Sequence, residues 1–319
     1  MIHSQHCKFY IASYHKEGGI YLCEYENGCA QILSKTEANL PMYLAVSDGK
    51  MYAILRQPFS HNNTSGLISY DIAKDSSLNN PSEIVSTNGI VACHLTVFDG
   101  EVYCVNYLSG SVVKIPDVEV VHTGSGPQSP RQDMPHTHYI NSFDGKYLIC
   151  TDLGTDTLYV YDKNLNEIHR AKVPTGHGAR HLAYSNGYVY CVNELESSVS
   201  TFKYSDGKLE YVTTVNALPD DFDGVSTTAA IRVSGDYVYV SNRGHDSISV
   251  LKIDNGIPRL IRTVDCGGAS PRDFNIFGDL LICTNENSNN VTFFEIGNGI
   301  PQKIDTELKI ENPLCVIEG

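Results

Sequence analysis

One short pattern returns around this 319-residue chain: a tight turn of Asp-Gly, Asn-Gly or Gly-Asp, followed at once by alternating apolar residues. It reads DGKMYAIL (48–55), DGEVYCVNY (99–107), DGKYLICTDL (144–153), NGYVYCVNEL (186–195), GDYVYVSNR (235–243) and GDLLICTNE (278–286). With Gly49, Gly100, Gly145, Gly187, Asp236 and Asp279 taken as equivalent, the steps are 51, 45, 42, 49 and 43 residues. Asp-Gly and Asn-Gly favour the positive-φ turns that match the twist of paired strands, and Gly-first pairs suit the sister turn. Most units continue into another alternating strand, such as SSVSTFKY (197–204), DSISVLKI (246–253) or NNVTFFEI (289–296). A fourth often follows, as in KLEYVTTV (208–215). Four strands at a period of about 40–50 residues is the signature of β-propeller blades.

The two ends of the chain complete the count. KFYIASYH (8–15) and GIYLCEYE (19–26) look like second and third strands that lack a first, and NPLCVIEG (312–319) looks like a first strand without followers. Joined, they make a seventh blade and leave no open sheet edge. Helical periodicity is nearly absent, and no linker or low-complexity segment interrupts the pattern. The expectation is therefore one all-β domain over 1–319. It is a seven-bladed β-propeller of four-stranded antiparallel blades, its ring closed by the C-terminal strand joining the N-terminal blade. A closed ring without a free edge predicts a monomer.

Composition narrows the partners. A formal charge of −14 argues against a nucleic-acid or anionic-membrane surface, where phosphates demand a basic face. No apolar run approaches membrane-span length, and the opening MIHSQHCKFYIASYH lacks the charged and apolar regions of a signal peptide. Ten cysteines are present, but no C-x-x-C pair, and Cys104, Cys191 and Cys283 each lie four residues past a hairpin turn inside a strand pattern. They read as small buried hydrophobes in a reducing cytoplasm.

The start of each blade's first strand and the end of its second lie on one face of the disc, because the two run antiparallel. First-strand starts are ACHL (92–95), PHTHYI (135–140), ARHL (179–182) and SPRDF (270–274). Second-strand ends are Asn106-Tyr107, Asp152, Asn193-Glu194, Asn242-Arg243 and Asn285-Glu286. Counting seven back from each turn marker gives Cys93, His138, Arg180, Ala229 and Arg272, which should ring the mouth of the central channel. The recurring asparagines read as devices that secure backbone groups. The histidines and arginines differ from blade to blade, and they concentrate positive charge in an acidic protein, which points to an anion site.

His136 and His138 should point the same way along a strand. Beyond Asp152 and Glu194 no complementary ligands accompany them, so no metal is expected and they are read as hydrogen-bonding substrate or moving protons. GSGP (124–127) lacks the Lys-Ser/Thr ending of a phosphate loop. It opens a long connection, in which Arg131 and Gln132 are placed to reach over the mouth. No G-x-S-x-G elbow occurs, which argues against a serine hydrolase.

HTGSGPQSPRQDMPHTHYINSFDGKYLICTDLGTDTLYVYD, GHGARHLAY, VNELESSVSTF, SNRGHDSISV and GGASPRDFNI closely resemble a lactonase family. Its members are the propeller-type bacterial 6-phosphogluconolactonases and the fungal carboxy-cis,cis-muconate cyclases. The resemblance covers essentially the whole chain. It implies hydrolysis of an anionic sugar-acid lactone without a required cofactor, most naturally 6-phosphogluconolactone to 6-phosphogluconate. It carries catalytic roles onto His138 (or His136), Arg180, Glu194 and Arg243, with His94, Arg131, Gln132, His136, His181, Asp152 and Arg272 as further substrate-binding candidates. Two departures stand out: Ala230 where the family has an acidic residue before the sixth-blade I-R-V stretch, and Ala179 where it has proline. The residues leave the general base open between Glu194 and His138. They also leave open a lactonising cycloisomerase acting on a muconate-like acid, or a non-catalytic propeller that binds a sugar acid.

Overall fold

The computed structural model describes residues 6–319. They form seven antiparallel sheets, each built on a four-stranded meander, and no helix occurs among the described residues. The innermost strands are Pro41–Ser47, Ala92–Phe98, Thr137–Asn141, Ala179–Ser185, Thr227–Ser234, Pro271–Phe277 and Pro313–Glu318, and each adjoins the next around a closed circle. Counted from the N-terminus, Pro313–Glu318 completes blade 1, and the other six open blades 2 to 7 in order.

Local chemistry sets each hairpin. Asn186 and Gly187 both take positive φ, 49° and 81°, whereas in the Gly235-Asp236 turn only the glycine does. These are the two turn families whose twist suits paired strands. In blade 1 the last strand pairs with His6–Ser13, in register Ile11 to Val316 and Ala12 to Cys315. This closure is packed as well as hydrogen-bonded. Phe9, Ile11 and Val316 of blade 1 share a core with Ile282, Val291 and Phe293 of blade 7, and the Phe9 and Phe293 rings meet edge-on at 6.0 Å. Burying each such side chain contributes about 1.5–3 kcal/mol. All ten cysteines are free, and eight are buried among these sheets.

One irregularity repeats in every blade and decides what faces the channel. Each innermost strand breaks register with its neighbour near its start, leaving one residue too many. The extra residues are Leu314, Met42, Cys93, His138, Arg180, Ala229 and Arg272 in blades 1 to 7. Such a bulge bends the strand and re-aims its side chain. The five positions found by counting seven back from the turns are all bulge residues. The next residues along the strands of blades 2 to 5, Tyr43, His94, Tyr139 and His181, pack ring against ring as a second layer farther along the channel.

The recurring asparagines hold blades together in a different way from the one expected. Asn193, Asn242 and Asn285 donate chiefly to hydroxyls of the third strand: Ser198 and Ser200, Ser247 and Ser249, and Thr292, at 2.8–3.1 Å. Asn106 alone donates at short range to a backbone carbonyl, that of Thr87, at 2.9 Å, as well as to Ser111 Oγ.

Candidate active site

At the bulged end of the channel lies a cavity of about 330 Å³, whose lining includes Met42, Arg56, Cys93, Tyr107, Arg131, His138, Glu194, Arg243 and Arg272. Glu194 is its electrostatic centre. It is buried, and its backbone N–H donates to Gly178 O at 2.7 Å. Arg131 donates to Oε1, while Arg180 and Arg243 approach Oε2 at 2.8 and 3.1 Å. Burial by itself pushes the Glu194 carboxyl up, but the charges of Arg243, Arg180 and Arg131 outweigh it and hold the group well below the usual carboxylate range. With both oxygens engaged by guanidinium groups, Glu194 is a fixed anion and a poor proton acceptor.

His138 has the complementary character. Its Nδ1 lies 3.9 Å from Cys93 Sγ, and its Nε2 makes no hydrogen bond with the described residues although the side chain lines the cavity. Burial first, and then the charge of Arg180, hold its pKa well below the ordinary imidazole value, so it is neutral near pH 7. The neighbouring cysteine is not activated. Burial pushes the Cys93 thiol up to about 12, which leaves it protonated and unsuited to nucleophilic attack.

The arginines divide by position. Arg243 and Arg272 line the cavity, and Arg131 reaches over it from the long connection. Arg180 lies beneath, with Nη1 donating to Ala229 O at 2.6 Å. Its Nε–H has no hydrogen-bond acceptor despite the short approach to Glu194, so that contact is ionic. Arg180 thus supports Glu194 from below the cavity. Arg243 donates to Thr228 O at 3.1 Å and keeps a buried Nε–H without an acceptor.

Several expected ligand-binding residues serve the scaffold. Gln132 is fully buried and donates to Leu153 O and Asp156 Oδ1, both at 2.8 Å, which pins the connection so that Arg131 can extend. Asp152 accepts from the backbone N–H of His136 and Gly154 and pairs with His122 at 2.8 Å. His136 and His138 do not share a face. The bulge at His138 breaks the alternation, and the His136 ring stacks on Tyr107 at 4.3 Å with Nδ1 donating to Tyr107 O. His94 and His181 follow the bulges and so lie deeper. His94 lines a second cavity at the other end of the channel, and His181 is buried between the two with neither ring nitrogen partnered.

The profile of the family described as "Lactonase, 7-bladed beta-propeller" matches residues 8–318. The chain belongs to this lactonase family. A protein of Staphylococcus aureus strain USA300 is 34% identical over 296 residues, covering 84% of this chain and 85% of its own. The crystal structure of a candidate 6-phosphogluconolactonase from Bacteroides fragilis is similar at 26% identity and a TM-score of 0.88, covering 98% of this chain and 97% of that one. The fold also matches a periplasmic gluconolactonase of Pseudomonas aeruginosa, at 22% identity and a TM-score of 0.88 over 98% and 99% of the two chains.

Within this lactonase propeller, the two departures from the family pattern fall in the scaffold. Ala179 is buried and pairs with Asn193, and Ala230 packs in the core of blades 6 and 7 beside Phe274 and Tyr239. Met42, Arg56, Val91 and Leu108 of the cavity lining escaped the sequence reading. Met42 and Arg56 lie seven residues before and seven after Gly49, the same offsets that mark His138 and Glu194 in their own blades. The signal for these two is the repeated offset itself, one residue beyond the DGKMYAIL stretch for Arg56.

Proposed function

We propose that the chain hydrolyses an anionic sugar-acid lactone at this cavity, with 6-phosphogluconolactone the leading substrate. The observation that carries the reading is the division of labour between Glu194, locked as an anion by three arginines, and His138, neutral with a ring nitrogen free beside the same cavity. His138 Nε2 takes a proton as water attacks the lactone carbonyl, a role typically contributing about 10²–10⁴-fold. Arg243, which lines the cavity and is oriented by Glu194, faces the oxyanion of the tetrahedral intermediate. Collapse breaks the bond from the carbonyl carbon to the ring oxygen, and His138 returns its proton to that oxygen. The new carboxyl group ionises, so each turnover releases one proton to solvent.

The likeness to a candidate 6-phosphogluconolactonase supports the choice of substrate. The closed ring supports a monomer, and ten unpaired cysteines support work in a reducing cytoplasm. The test is alkali uptake at constant pH with 6-phosphogluconolactone, glucono-1,5-lactone or buffer alone. Uptake above background with a lactone is expected. Tight binding of the hydroxy-acid product without turnover replaces the enzyme with a sugar-acid-binding propeller.

A further inference from the structure

The charges around the cavity are unequally compensated. Arg131, Arg180 and Arg243 share Glu194, and Arg272 leans on Glu286 at 3.3 Å. Arg56 also lines the cavity, yet its guanidinium makes no hydrogen bond or ion pair among the described residues. Its backbone is firmly held: Ser65 Oγ donates to its carbonyl at 2.8 Å, and its N–H donates to Leu40 O at 3.1 Å. A cation on a fixed stem is thus presented to the cavity without a counter-charge. Five arginines against Glu194 and Glu286 leave three positive charges at the mouth of a protein whose formal charge is −14. That balance suits a dianion better than a neutral ligand.

Placement separates this cation from the reacting centre. Arg56 stands on blade 2, two blades from His138 on blade 4 and three, the most a seven-membered ring allows, from Arg243 on blade 6. Arg272 is on blade 7, two blades from Arg56 in the other direction, and blade 1 between them offers only the apolar Leu314 at its bulge. A lactone whose carbonyl sits beside His138 and Arg243 therefore extends its far end toward Arg56.

Building on the lactonase reading above, we propose that Arg56, assisted by Arg272, forms a subsite for a phosphate dianion at the end of the substrate remote from the lactone carbonyl. Arg56 thereby sets a preference for phosphorylated over unphosphorylated sugar lactones. Guanidinium groups suit this task because their planar fork meets phosphate oxygens bidentately.

The decisive quantity is the ratio of kcat/KM for 6-phosphogluconolactone to that for glucono-1,5-lactone, in the wild type and in Arg56→Gln and Arg56→Lys. Arg56→Gln is expected to lower the ratio roughly 10–100-fold, the size of a lost charge-assisted hydrogen bond. Arg56→Lys should recover part of it. A ratio unchanged in Arg56→Gln overturns the subsite. A binding arm keeps the two readings separable: calorimetry with 6-phosphogluconate and gluconate on the same proteins. If the wild type hydrolyses neither lactone, the enzyme reading falls. The subsite then stands if 6-phosphogluconate binds more tightly than gluconate in the wild type and loses that advantage in Arg56→Gln. It falls if the two acids bind alike.

Discussion

Replacing Glu194 by glutamine keeps the shape of the side chain and removes the anion that three arginines share. Arg180 and Arg243 are only 3% and 16% exposed, so their charges are left buried without a partner, whereas Arg131, at 42%, is largely rescued by water. Removing one member of a buried ionic cluster costs about 3–5 kcal/mol, and the exposed Arg131 contact adds at most about 1 kcal/mol. With a slope of about 5 kcal/mol per molar in guanidinium chloride, the unfolding midpoint should fall by about 0.6–1 M at pH 7. The loss carries a pH signature. The folded-state pKa of Glu194 is depressed, so its contribution is fully present above the ordinary value of 4.5 and disappears as pH falls through the lowered folded value. The gap between wild type and Glu194→Gln should therefore narrow in acid. The assay is a pair of denaturant titrations at pH 7 and below pH 4. A variant as stable as the wild type at pH 7, or a gap indifferent to pH, would refute the picture of a carboxylate locked by buried cations.

Other consequences are quicker to check. Because burial and Arg180 hold His138 below its ordinary value, the acid limb of kcat/KM should fall below about 6.5, and an inflection at or above that value contradicts the assignment. Iodoacetamide at pH 7.5 should label exposed Cys29 well before Cys93, whose thiol is pushed up to about 12, and mass spectrometry of the digested protein shows the order. Val316→Asp puts an unpaired carboxylate into the core shared by blades 1 and 7, and should lower the thermal midpoint sharply or leave the protein insoluble. A variant as stable as the wild type would mean that ring closure depends on something other than this core.

The architecture was legible because its signals are local. Asn186-Gly187 can hardly be anything but a hairpin turn, and repeating that unit six times with two complementary half-blades at the ends leaves a closed ring as the simplest solution. Offsets from the turns also located His138, Arg180, Glu194, Arg243 and Arg272, because the innermost strands of blades 2 to 7 all bulge at the same distance from their hairpins. What the offsets hide is the effect of the bulge on direction. Strict alternation pairs His136 with His138, yet the bulge at His138 turns His136 onto Tyr107, and His181, a candidate from the resemblance, follows the bulge at Arg180 and lies deeper in the channel. Gln132 and Asp152 mislead for another reason. A buried amide or carboxylate that satisfies backbone groups is the same residue in a sequence as one that meets a ligand, and only its partners tell the two apart.

The most direct trial of the account is steady-state hydrolysis of 6-phosphogluconolactone by His138→Gln beside the wild type, with both proteins checked for an unchanged unfolding midpoint. A neutral imidazole acting as base predicts a kcat lower by about 10²–10⁴-fold with little change in KM. Undiminished turnover by a folded His138→Gln variant would contradict it.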